Sequence, residues 1–256
     1  MLAEERQRLI LSMVNARGSI SITEIMRKLK VSRETIRRDL VQLDEEQRLR
    51  KTHGGALSLE QSEPELKVRQ VTNPGGKRAI GHLAAGLVPD GASVMLASGT
   101  TVLAVADALM ARRDLTIFTN SVISCTKLMG HNGNRVYMLG GEVQALNGAT
   151  LGRDATAMLA NYFADFAFIG AAAISPAGWL MDYTREEAEL HSLMLKAART
   201  SVVVADQGKF GRFAPVRVNS FDKVTHLITD STPDPEISGA LAALPLDILV
   251  AGKDEP

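Results

Sequence analysis

The 256-residue chain is poor in the groups that hold small secreted folds together. Its one cysteine, Cys125, can form no internal disulfide and cannot by itself hold a zinc ion. Aromatic side chains make up only 4%, and the first 58 residues contain none. That absence argues against a base-stacking platform for RNA or single strands in this segment. No run of 18 apolar residues occurs, so no spanning helix is expected. No apolar segment of the kind a secretion signal needs follows the first six residues. The net charge is zero. These absences predict a soluble, cytoplasmic protein with no structural metal, no cofactor and no membrane partner.

Hydrophobic residues reach 45%, enough for a packed interior, and the length is more than one small domain and less than three. The zero net charge is a sum of unlike parts. The first 58 residues carry twelve basic and eight acidic side chains, the remainder seventeen and twenty-one. A basic head on an acidic body hints at a nucleic-acid partner.

The head reads as three helices and a ribbon. Leu9, Ile10, Met13 and Val14 recur at helical spacing before Gly18. Ser21-Ile22-Thr23-Glu24 is a capping box, with Ile20 and Ile25 at the staple positions. That short helix runs to Leu29. Ser32 starts a third, whose Ile36, Leu40 and Leu43 form an apolar stripe. Residues 48–57 alternate loosely around Gly54-Gly55, as a small β-ribbon does. Two short helices joined by a tight turn, the second rich in arginine, form a helix-turn-helix pattern. Ser32, Arg33, Thr35, Arg37 and Arg38 crowd the first turns of the second helix, where a major groove would receive them. Arg50, Lys51 and His53 on the ribbon are candidates for the phosphate backbone or minor groove. The bland alternative is a solvated face, with Arg38 and Asp39 in local ion pairs.

Residues 59–74 are polar and read as a linker, helical around 65–71, between a head at 1–58 and a body at 75–256. In the body, strands are predicted at 93–97, 115–119, 135–139, 166–169, 201–205, 223–228 and 247–250, and helices at 102–112, 122–129, 154–162, 186–199 and 235–244. Val/Ile-rich runs alternating with helices predict an α/β fold with a mostly parallel sheet. Ligands sit at the carboxyl ends of strands in such sheets. There the chain places Ser98-Gly99-Thr100-Thr101, Asn120-Ser121, Gly141 and Gly170, the first of them a hydroxyl-rich loop opening a helix and suited to phosphate. Lys77 and Lys209 are candidate phosphate counter-charges, and Glu187 and Asp206 candidate acceptors for sugar hydroxyls.

Val31-Ser32-Arg33-Glu34-Thr35-Ile36-Arg37-Arg38-Asp39-Leu40, followed by Leu49-Arg50-Lys51-Thr52-His53-Gly54-Gly55-Ala56, resembles the signature of the DeoR family of bacterial transcription regulators. The body's Ser98–Thr101 loop, Thr119-Asn120-Ser121, Leu139-Gly140-Gly141, Asp165–Gly170, Glu187-Ala188-Glu189 and Ala205–Gly211 are similar, in order, to that family's sensor domain. The resemblance implies a winged helix-turn-helix and a sensor domain like ribose-5-phosphate isomerase that responds to phosphorylated sugars. The chain departs from the family at Lys30 in the turn, at Leu96-Ala97 where an Asp is common, and at the apolar Ala171-Ala172-Ala173.

Two functions follow. One is a repressor of a carbohydrate-utilisation operon. It binds double-stranded operator DNA as a dimer or tetramer and is released by a phosphorylated sugar. The other is a sugar-phosphate isomerase-like enzyme with a fused helical head. Isomerisation calls for paired carboxylates after a strand, as in a Gly-Ala-Asp-Glu turn. Gly170-Ala171-Ala172-Ala173 stands there instead, so the first is expected and no catalytic residue is assigned.

Overall fold

A computed structural model describes residues 2–46, 48–52, 54–58 and 63–252; His53 and the first four positions of the expected linker, 59–62, lie outside them. The head contains α1 (Ala3–Arg17), β1 (Ser19–Ser21), α2 (Ile22–Leu29), α3 (Arg33–Glu45), β2 (Leu49–Lys51) and β3 (Gly55–Ser58). Its boundaries follow local chemistry. Gly18, at φ 72°, ends α1 in the left-handed region that glycine tolerates. Ser21 Oγ accepts from the Glu24 amide at 3.1 Å and Ser32 Oγ from the Thr35 amide at 3.3 Å, each satisfying a first-turn donor. Lys30 ends α2 at φ 52°, ψ 44°, which is why a residue without a bulky side chain suits that turn better.

The three strands pair antiparallel in the order β1-β3-β2. β1 was not predicted, because three residues are too few to stand apart from the cap of the helix that follows. Its approach to β3 is close: a Cβ on Gly55 would lie 2.1 Å from the Ile20 carbonyl oxygen. Ile10, Val14, Ile25, Ile36, Leu40 and Leu43 fill the head's core.

α4 (Leu66–Val71) precedes the body. The body begins with α5 (Pro74–Gly86), β4 (Ser93–Leu96), α6 (Thr100–Leu109), β5 (Thr116–Thr119), α7 (Val122–Leu128) and β6 (Arg135–Met138). A hairpin, β7 (Val143–Gln144) and β8 (Ala149–Thr150), leads to α8 (Arg153–Leu159), β9 (Ala164–Ile169), β10 (Ala173–Ile174), β11 (Leu180–Asp182) and α9 (Arg185–Lys196). The chain closes with β12 (Ala198–Val204), β13 (Val216–Arg217), β14 (His226–Thr229), α10 (Pro235–Leu241) and β15 (Asp247–Val250). The seven expected strands form one parallel sheet, ordered β15-β14-β12-β9-β4-β5-β6. α5 was missed because Pro74-Gly75-Gly76 looks like a turn; here Pro74 opens the helix and Asn73 caps it at the Gly76 amide. The small sheet β10-β11-β13 was missed as well.

Side chains alternate between two cores, one on each face of the sheet. Met95, Ile169 and Val203 enter one; Val94, Leu96, Phe168 and Ile228 enter the other. Three of the few aromatic residues group together, with Phe118 5.1 Å from Tyr137 and 4.4 Å from Tyr162 between ring centroids. β4, the first strand of the sheet in sequence, lies mid-sheet. β5 and β6 extend to one side of it, and β9, β12, β14 and β15 to the other. The order therefore reverses between β4 and β9, and in an open α/β sheet a crevice forms outside the carboxyl ends at that point. No helix among the described residues is long and apolar enough to cross a membrane.

Candidate nucleic-acid interface and candidate ligand cleft

Ile36, Leu40 and Leu43 turn one face of α3 fully inward. Asp39 is buried with them, against the Arg6 guanidinium, whose Nη2 lies 2.9 Å from Asp39 Oδ1. Gln7 donates to Gln42 at 2.8 Å, so a polar seam ties α1 to α3. Of the local ion pairs considered for a solvated face, Arg38 forms one, reaching Glu34 one turn away at 3.3 Å, whereas Asp39 pairs with Arg6 of α1. Arg33 and Arg37 stay exposed and engage no carboxylate among the described residues. Ser32 and Thr35 lie at the same helix end, their hydroxyl oxygens 2.9 Å apart. On β2, Arg50 is exposed and Lys51 half-buried, and the Lys51 amide donates to Asp44 at 2.9 Å, fixing the wing to the end of α3. His53 is outside the described residues.

The second site is a cleft at the point where the sheet order reverses. Ser98-Gly99-Thr100-Thr101 follows β4, Gly170 follows β9, Lys209 follows β12, and Glu187 reaches in from the first turn of α9. Gly99 sits at φ 117°, and no side chain caps α6, so the amides of its first turn remain available to an anion. Deeper in the cleft, His191 Nδ1 and Asp182 Oδ2 are 2.8 Å apart, both buried. Glu187 accepts from the Thr184 hydroxyl and the Asn147 amide, both at 3.2 Å. Its carboxyl is pushed up to about 7, chiefly by burial and then by the charges of Asp182 and Glu63. Burial pulls the His191 imidazolium down, but Asp182, Glu187 and Glu63 outweigh it and its pKa rises. The Lys209 ammonium is held below its ordinary range by burial, which the Asp206 charge offsets in part.

Ser98, Gly99, Thr100, Thr101, Gly170, Glu187 and Lys209 thus meet in one place. Lys77, Asn120, Ser121, Gly141 and Asp206 do not line the cleft. Lys77 Nζ donates to the carbonyls of Arg69 and Thr72, at 2.5 and 2.8 Å, so its ammonium fastens the linker instead of meeting a phosphate. Asp206 Oδ1 accepts from the Gly208 amide at 3.0 Å and shapes the turn before Lys209. Asn120 donates to the Thr150 carbonyl, Ser121 caps α7 at the Ser124 amide, and Gly141 turns at φ 118° close to the Leu151 carbonyl. Sequence reasoning missed Glu63, Arg69, Asn147, Asp182, Tyr183 and His191, all of which line the cleft. Cys125 is half-buried on α7. Trp179 packs beside Phe213 and under Arg217, 4.5 Å from ring centroid to guanidinium carbon. No group of three or more His, Cys, Asp or Glu among the described residues could hold a metal ion.

Residues 6–62 match the family model of the DeoR-like helix-turn-helix domain, and residues 72–231 that of the DeoR C terminal sensor domain. The repressor CsqR of Escherichia coli is 31% identical over 96% of this chain and 94% of its own. The glycerol-3-phosphate regulon repressor of Haemophilus influenzae is 33% identical over 90% of each chain. The repressor GlcR of Bacillus subtilis is 32% identical over 100% of this chain and 99% of its own. Among solved structures, ribose 5-phosphate isomerase A of Methanocaldococcus jannaschii aligns at 18% identity and a TM-score of 0.40, over 54% of this chain and 55% of that one.

Proposed function

The chain belongs to the DeoR family of bacterial transcription regulators, and from that premise we propose that it is a repressor released from its operator by a phosphorylated sugar held in the cleft between β4 and β9. It is a DNA-binding regulator and not an enzyme. In this reading residues 1–58 bind DNA, 59–74 link and 75–256 sense, all in the cytoplasm, and the target is an operon of carbohydrate use. Arg33, Arg37 and Arg38 face the bases, with Ser32 and Thr35 at the helix end and Arg50, Lys51 and His53 on the wing. One head makes few base contacts, so useful affinity calls for two or more heads on repeated half-sites, and hence a dimer or tetramer.

The uncapped first turn of α6, facing Lys209 at the sheet's switch point, carries the sugar-phosphate reading. Fixed amides and a desolvated ammonium suit a phosphoryl dianion, and buried Glu187 suits a sugar hydroxyl. The test is a thermal-shift and calorimetric screen of glycerol 3-phosphate, ribose 5-phosphate, fructose 1-phosphate, fructose 6-phosphate, glucose 6-phosphate and inorganic phosphate, each sugar beside its unphosphorylated parent. A ligand at a hundred times its Kd adds about 2.7 kcal/mol of stability. We expect stabilisation by a phosphorylated sugar and its loss in Thr100→Val, with binding to a selected duplex retained. No stabilisation by any compound overturns the reading.

A further inference from the structure

We infer that the stretch joining head and body is part of the effector site: Arg69 is a ligand-binding residue, and the Glu63 carboxylate clasped to it is the group an anionic effector displaces. The inference rests on the sugar-phosphate reading of the cleft and adds to it the residues that transmit occupancy to the head.

The clasp is a closed ring of hydrogen bonds. Arg69 Nη1 lies 2.7 Å from Glu63 Oε1, with only 11% and 13% of the two side chains exposed. Arg69 Nη2 donates to Asn147 Oδ1 at 2.6 Å, and Asn147 Nδ2 donates to Glu63 Oε2 at 2.7 Å and to Glu187 Oε1 at 3.2 Å. All four side chains line the cleft of Ser98–Thr101 and Lys209. Apolar packing holds α4 only weakly, through half-buried Leu66. It has no buried residue, and Val68 and Val71 are 53% and 77% exposed. The ring, the two Lys77 hydrogen bonds and the Asn73 side chain, which donates to Asp230 at 2.7 Å, fasten this segment to the body beside half-buried Leu66.

Space and charge lead to the same conclusion. The cleft is partly open, and the cavity inside it is small, about 40 Å³, so a phosphorylated sugar fills it fully only if a wall moves aside. Ser98–Thr101, Gly170 and Asp182 lie at strand ends or in a helix's first turn, whereas Glu63 and Arg69 come from the linker and Asn147 from the β7–β8 hairpin, so the clasp side is the wall less tied to the sheet. Glu63, Asp182 and Glu187 already place three carboxylates opposite Arg69 and Lys209. A phosphoryl dianion adds like charge, which is most easily relieved by expelling the carboxylate that sits on Arg69. The guanidinium then keeps a bidentate oxyanion partner, and no buried cation is left unpaired. Glu63 stands five positions after Ser58, the last residue of β3, so the expelled group is close in sequence to the wing. Occupancy of the cleft therefore changes the tether of the DNA-binding head.

Glu63→Gln and Arg69→Met both break the clasp, yet they shift affinity in opposite directions if the inference holds. Calorimetry with the six phosphate compounds named above should show Glu63→Gln binding the preferred one on the order of tenfold more tightly, because the competing charge is gone. Operator release should move to correspondingly lower concentration. Arg69→Met should bind it on the order of tenfold more weakly, with Arg69→Lys between it and the wild type. A structural clasp alone would move both variants the same way. Equal affinities for wild type, Glu63→Gln and Arg69→Met, with Thr100→Val still deficient, overturn the inference and leave the sugar-phosphate reading standing. A wild-type protein that binds none of the compounds overturns that reading and the inference with it.

Discussion

Arg37 stands exposed on α3 one turn beyond Arg33, whereas Arg38 is already engaged by Glu34. A free guanidinium on a helix whose opposite face is locked into the core can make a bidentate contact with guanine at little ordering cost. Arg37→Ala should therefore cost about 1–3 kcal/mol of operator affinity and relax the preference at one base pair. Fluorescence anisotropy on a selected duplex and its point-changed versions measures both, and unchanged binding removes Arg37 from the reading surface. Glu187 gives a second prediction at this scale. Its carboxyl, raised from an ordinary 4.5 to about 7, keeps its proton in the folded chain over a range where the unfolded chain has lost it. The folded state binds more protons there, so this contribution is complete below about 4.5 and disappears as pH rises through about 7. Its ceiling is about 3 kcal/mol. Asp182, Glu63 and His191 face the same carboxyl, so wild type alone does not isolate the effect. Urea denaturation of wild type and Glu187→Gln at pH 5 to 8 does: the variant should gain on the wild type as pH rises, and parallel curves would contradict the assignment.

At the scale of elements, what could be read from the sequence was local. The Ser21 and Ser32 caps fix α2 and α3 through bonds spanning three residues, and both are present. The seven sheet strands announced themselves by apolar runs because both faces are covered. β7, β8, β10, β11 and β13 are two or three residues long, too short for a pattern to show, and β13 pairs with β11 from a distant part of the chain. The cleft divides the same way. Ser98–Thr101 and Lys209 lie just beyond predicted strands, whereas Asp182 ends an unpredicted one and Glu63, Arg69 and Asn147 arrive from a linker and a hairpin. Sequence position does not reveal that the Lys77 ammonium is held by two carbonyls. The unpredicted α5 packs against α6 at a point where only glycine fits: a Cβ on Gly81 would lie 2.4 Å from the Ala104 carbonyl oxygen. Gly81→Ala should wedge the two helices apart, destabilise the body by about 1–3 kcal/mol and weaken effector binding through α6. Gly86, on the same helix, has nothing within 4 Å of its would-be Cβ. Gly86→Ala should be neutral or stabilising by up to about 1 kcal/mol. Equal urea midpoints for the two variants would show that the helices do not meet as closely as described.

For the whole molecule the question is how a filled cleft reaches α3. Beside the linker clasp there is a second tie. Leu57 of the wing packs with Ala173, Met181, Phe213 and Ala214 of the body, and a Cβ on Gly54 would lie 3.4 Å from the Phe213 ring. The small sheet behind this contact borders the cleft, since the Ala172 amide donates to the Met181 carbonyl and Asp182 follows immediately. One rigid patch therefore touches the head on one side and the ligand's wall on the other. An effector changes operator affinity only by the difference in its affinity for two head placements, and couplings of this kind are typically about 1–3 kcal/mol, or 5- to 150-fold. Phe213→Ala should leave a folded body that still binds effector, while the ratio of operator affinities without and with effector falls toward one. Linkage supplies an internal check, because the operator must change effector affinity by the same factor. Measuring both ratios by anisotropy and calorimetry separates a broken connection from a weakened head. A weakened head lowers operator affinity with the ratio intact, and a broken connection lowers the ratio from both directions at once.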